Sequence, residues 1–136
     1  MLMNEKHVVS LELSKKLKEV GYPQEGGYFV WKEQDTGNWD IVEIFIEMAK
    51  TSPGDFAVAP LASELMERLP DSIRDYDLIV SKLDDEFFVY YERDGVAVRE
   101  GFDFKDTNLC NALAKMYIYL AEIGGRRDDE IQRMDC

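Results

Sequence analysis

A chain of 136 residues with 46% apolar and 32% charged side chains is too apolar for a disordered polymer and too charged for a bundle of membrane spans. Its length suits one domain, which at this size buries about two-thirds of its surface and needs neither metal nor disulfide to hold a core. Sixteen Lys and Arg against 28 Asp and Glu leave a net charge of −12, which repels phosphate backbones and argues against direct nucleic-acid binding.

Ser10 caps a first predicted helix whose Leu13, Leu17 and Val20 recur on one face; Gly21 and Pro23 end it. Tyr28-Phe29-Val30-Trp31 reads as a strand, with Asp40 to Ile46 as its hairpin partner, although Ile41 to Lys50 also suits a helix. Pro60 is placed at the first position of a second helix with a Leu61, Leu65 and Leu69 stripe, closed by Pro70. Three strands follow. They are Tyr76 to Leu83, Phe87 to Tyr91 and Val96 to Arg99, turned by Asp84-Asp85-Glu86 and by Asp94-Gly95.

Phe87, Val89 and Tyr91 point to one side of their strand and Phe88 and Tyr90 to the other, which places it mid-sheet with a layer over at least one side. Asp106 or Thr107 is expected to cap a last helix carrying Leu109, Leu113, Met116, Tyr117 and Leu120, stopped by Gly124-Gly125. The expectation is an α+β fold, a mostly antiparallel sheet of about five strands with three helices in the order α-β-β-α-β-β-β-α. Residues 1–125 form the single domain, and 126–136 a charged, loosely ordered tail.

Leu11 to Gly21, the Ala59-Pro60 start followed by Leu65 and Leu69-Pro70, and Asn108 to Met116 together resemble small uncharacterised proteins of bacterial genomes and prophages. The resemblance covers most of the chain but rests on helix stripes, caps and hairpin aromatics. It implies a phage-related origin and assigns no activity or cofactor.

Reactive constellations are sparse. His7 is the only histidine and stands near a terminus, whereas a catalytic histidine must be held and oriented. His7, Cys110 and Cys136 lack the paired spacing of a zinc site. In Asp35-Thr36-Gly37-Asn38-Trp39-Asp40, Gly37 and Trp39 fall where a calcium loop needs oxygens. Gly26-Gly27 lacks the Lys-Ser/Thr of a phosphate loop. Asp77 and Lys82, five apart on one strand, point to opposite faces, unlike the acid and lysine of a metal nuclease. Short basic clusters at Lys15, Lys16 and Lys18 and at Arg126 and Arg127 read as solvated faces.

No enzyme and no cofactor is therefore expected. The leading expectation is a small acidic accessory protein, phage-related, that binds another, unidentified protein. Its contacts are Trp39, a large ring in a polar turn segment, with Asp35, Asp84, Asp85 and Glu86. A nucleic-acid mimic with carboxylates in one stripe and a carboxylate-metal enzyme such as a nuclease are the alternatives. Met1 to Lys6 lacks the character of a secretory signal and no segment suits a membrane span, so a cytoplasmic, reduced protein without membrane association is expected.

Overall fold

The computed structural model describes residues 7–24, 28–43, 54–73, 75–97 and 103–124. Outside them lie Ile44 to Ile46 of the expected second strand and its helical alternative to Lys50, Val98 and Arg99, Gly26-Gly27, Gly125, and the 126–136 tail with Arg126, Arg127 and Cys136.

Helix α1 (Leu11–Glu19) starts at Ser10, whose Oγ accepts from the Leu13 N–H at 3.4 Å. It ends as its sequence dictates. Gly21 takes φ +95°, the Gly21 N–H reaches Lys18 O at 3.2 Å and the Tyr22 N–H reaches Leu17 O at 2.9 Å. These two bonds satisfy carbonyls that a helix end leaves orphaned, and Leu17 and Tyr22 both enter the core.

Strands β1 (Val30–Glu33), β2 (Trp39–Val42) and β3 (Phe56–Val58) form a three-stranded antiparallel sheet with β1 in the centre. The expected first hairpin is present, closed by Gln34 to Asn38. Helix α2 (Ala62–Arg68) follows. Pro60 sits one residue ahead of the N-cap Leu61 and not at the first helical position. Its carbonyl instead accepts from the Val9 N–H at 3.1 Å, and Glu64 Oε1 reaches back to the Leu61 N–H at 2.9 Å.

A second antiparallel sheet holds β4 (Ser72–Ile73), β5 (Tyr76–Leu83), β6 (Glu86–Arg93), β7 (Val96–Ala97) and β8 (Phe104–Asp106). Its order is β4-β5-β6, with β7 and β8 pairing different stretches of the far edge of β6. Asp94 and Gly95, at φ +52° and +80°, give the tight turn expected of them. Helix α3 (Leu109–Gly124) completes the fold.

The α+β, antiparallel class is as expected, with three helices among the described residues; the strand count is not. Eight described strands lie in two sheets, in the order α-β-β-β-α-β-β-β-β-β-α, in place of one sheet of about five. The unforeseen strands β3, β4 and β8 are two or three residues long, too short to show alternation, and form only because a longer neighbour offers unpaired backbone groups.

The cap of α3 also differs from expectation. Asn108 Oδ1, not Asp106 or Thr107, accepts from the Cys110 and Asn111 N–H groups at 2.8 and 3.3 Å. Asp106 is taken up in β8 and accepts from the Asn108 N–H at 2.9 Å.

Helix α3 lies over one face of the second sheet, where Leu113 and Met116 meet Val89 and Tyr91 in the main core. Each large apolar side chain so buried contributes about 1.5–3 kcal/mol. Val30 and Val58 bring one face of the first sheet into the same core, and Trp31, on its other face, packs with Val8 and Ala59 in a smaller cluster.

Candidate interaction surface

Pairing register sorts the side chains of the second sheet. Tyr76, Leu78, Val80 and Lys82 on β5 share a face with Phe87, Val89, Tyr91 and Arg93 on β6. Helix α3 packs on that face. The opposite face carries Ile79 beside Tyr90, Ser81 beside Phe88 and Leu83 beside Glu86, with Lys105 of β8 on the other side of Phe88. Ile79, Phe88 and Tyr90 belong to neither core cluster of the described residues, and Leu83 is 66% exposed. Ile79, Phe88 and Tyr90 are half-buried, and they form an apolar row on the side of the sheet away from α3, open as far as the core clusters of the described residues go.

The residues singled out in the sequence fall in two places. Asp84, Asp85 and Glu86 close the β5–β6 hairpin at one end of this row; Asp84 adopts φ +58°, a left-handed conformation that aspartate tolerates. Asp35 lies exposed in the loop of the other hairpin, and Trp39 opens β2. Trp39 is half-buried despite its polar sequence neighbours. It packs against the cluster of Val8, Trp31 and Ala59, with Lys15 Nζ 4.5 Å from its ring centroid. Two hairpins in two different sheets thus divide the five residues.

Lys18 is also spoken for, paired with Asp55 at 3.2 Å and standing 4.1 Å over the Phe56 ring. The backbone N–H of Phe56, and after it the Lys18 ammonium, hold the Asp55 carboxyl below its ordinary range.

Among the described residues no group of three or more His, Cys, Asp or Glu side chains converges as a metal site. His7 is exposed, and its carbonyl accepts from the buried Cys110 Sγ at 3.3 Å. Burial pushes the Cys110 thiol up, away from nucleophilic reactivity. A groove of about 320 Å³ between α1, β8 and α3 is lined by Leu13, Phe104, Ile118 and Tyr119 together with Lys16, Lys115 and Glu122. Lys115 is paired there with Asp106 at 3.0 Å. No described helix is long and apolar enough to cross a membrane.

Sequence reasoning separated Phe88 and Tyr90 from Phe87, Val89 and Tyr91 by alternation alone. Which set the last helix covers was not legible, because both are bulky. Compared with protein-family models, with curated proteins and with solved structures, the chain matches none.

Proposed function

We propose that this protein is a small acidic accessory protein, of the phage-related kind its sequence resembles, that acts without catalysis by binding another protein through the open face of its second sheet. The observation that supports this is the row of Ile79, Phe88 and Tyr90, which no described core cluster takes up. Contiguous apolar area left outside a core is uncommon on a monomer and marks interaction surfaces. Large aromatic side chains are efficient anchors there. A nucleic-acid mimic needs its carboxylates in one continuous stripe, whereas on this face, among the described residues, apolar side chains separate those at its two ends.

The test is capture from host lysate by tagged wild-type protein, by Phe88→Ser and by Ile79→Ser, each variant first checked for native circular dichroism. A protein retained by the wild type and lost by both variants supports the reading. Equal retention by all three, or retention of nothing, overturns it.

A further inference from the structure

The charges around the apolar row define what fits on it. Glu86 stands at one end, beside Leu83, with Asp84 and Asp85 in the adjoining turn. At the other end Asp77 and Glu92 face each other directly across the β5–β6 pair. Like charges in that relation destabilise a sheet, and neither carboxylate makes an ion pair among the described residues. Lys105 is the only positive side chain that the register places on this face among the described residues. The face therefore carries Ile79, Phe88 and Tyr90 in the middle, with Ser81 and Lys105 on either side of Phe88, and carboxylates at both ends.

A second copy of the chain is a poor occupant, since it brings the same carboxylates and a net charge of −12. A cationic partner relieves the Asp77–Glu92 repulsion on docking. Length narrows its form. Six strand steps separate the Asp77 and Leu83 rows, roughly 20 Å at strand rise, which matches about 13 residues of α-helix. The other face of this sheet already carries a helix, α3, which packs on β6 and β8. A helix on the open face would complete a helix–sheet–helix sandwich.

We infer that the open sheet face binds a cationic amphipathic helix of its partner, with an apolar seam on Ile79, Phe88 and Tyr90 and Lys or Arg side chains over Asp77–Glu92 and Glu86. This rests on the reading of that face as the protein-binding surface.

Three synthetic helical peptides of about 14 residues test it by fluorescence anisotropy with the full-length protein. One has a leucine seam and lysine ends, one the same seam with glutamate ends, and one lysine ends with a serine seam. The first should bind at least about tenfold tighter than either other peptide. Phe88→Ser should weaken it about tenfold or more, and Asp77→Asn with Glu92→Gln several-fold, the charge effect shrinking as salt rises. Amide shift mapping on the wild-type protein, which needs no variant, should place the perturbations on β5 and β6.

Equal binding of the serine-seam peptide reduces the effect to net charge and overturns the inference. So does equal binding of the glutamate-ended peptide, or mapping to the groove between α1 and α3. If lysate capture depends on Phe88 but the captured segment is acidic or non-helical, the face stands as a binding surface and only the cationic helix falls.

Discussion

The indole N–H of Trp31 donates to the carbonyl of Val9 at 2.9 Å, tying the central strand of the first sheet to the residues ahead of α1. Those residues are held from several sides. The Val9 N–H donates to Pro60 O, Asn108 Nδ2 donates to Val8 O at 3.1 Å, and the Ser10 N–H donates to Asn111 Oδ1 at 2.8 Å. His7 to Ser10 therefore link β1, the approach to α2 and the start of α3.

Trp31→Phe keeps an aromatic ring in the cluster but deletes its donor. The Val9 carbonyl retains Ser14 Oγ at 3.3 Å, so it is not orphaned. The expected loss is about 1–1.5 kcal/mol, the net value of one hydrogen bond with a small packing term. Urea unfolding of the two proteins checks it; a loss above about 4 kcal/mol would mean that the ring's packing dominates.

At the start of α3 two adjacent polar residues, Thr107 and Asn108, should respond differently to truncation. Asn108→Ala removes the acceptor for two helix N–H groups and the donor to Val8, and should cost about 1–2 kcal/mol. Thr107 is exposed and takes no part in this cap, so Thr107→Ala should stay within about 0.5 kcal/mol of wild type. Equal losses in urea unfolding would refute the assignment.

The same stretch shows where sequence reading stops. Asp106, Thr107 and Asn108 are all good caps by residue type. Only the pairing of Asp106 with Phe87 across β6–β8, a long-range fact, leaves the role to Asn108. By contrast Gly21 and Asp94-Gly95 were legible because a positive φ is a local demand that few residues meet. The packing of Trp39 was not legible, for the opposite reason. Its sequence neighbours are polar, while the apolar residues it packs on come from Val8, Trp31 and Ala59. Of the open face, the alternation and the acids of the hairpin turn were visible; the side that α3 takes was not.

Tyr22 makes the alkaline limit of stability measurable. Burial, and after it the nearby Glu64 carboxylate, push its phenol from 10.0 up to about 12, against the opposing pull of Arg68. A group whose pKa is raised by folding leaves stability intact below its unfolded value, and stability falls as pH climbs from 10 towards 12. Tyr22→Phe should flatten that fall in part, since burial also raises the phenol of Tyr91, which donates to Pro70 O at 2.8 Å. Unfolding curves of both proteins across this window check it, and an unchanged slope contradicts it.

Gly54 and Gly37 form a matched pair for a test of close backbone approach. Both have positive φ, +91° and +88°, so alanine at either costs about 1–2 kcal/mol in conformational strain. They differ in surroundings. A methyl group on Gly37 meets nothing within 4 Å, while on Gly54 it lies 2.7 Å from Glu33 O and 3.0 Å from Lys32 Nζ. The lysine tip can move, but Glu33 O belongs to β1, and the neighbouring Glu33 N–H is bonded to Asp55 O at 2.9 Å. Relief therefore pulls β3 away from β1. Gly54→Ala should lower the melting temperature clearly more than Gly37→Ala, by a further few degrees for each additional 1 kcal/mol or so. Equal melting temperatures would show that the β1–β3 edge yields without cost.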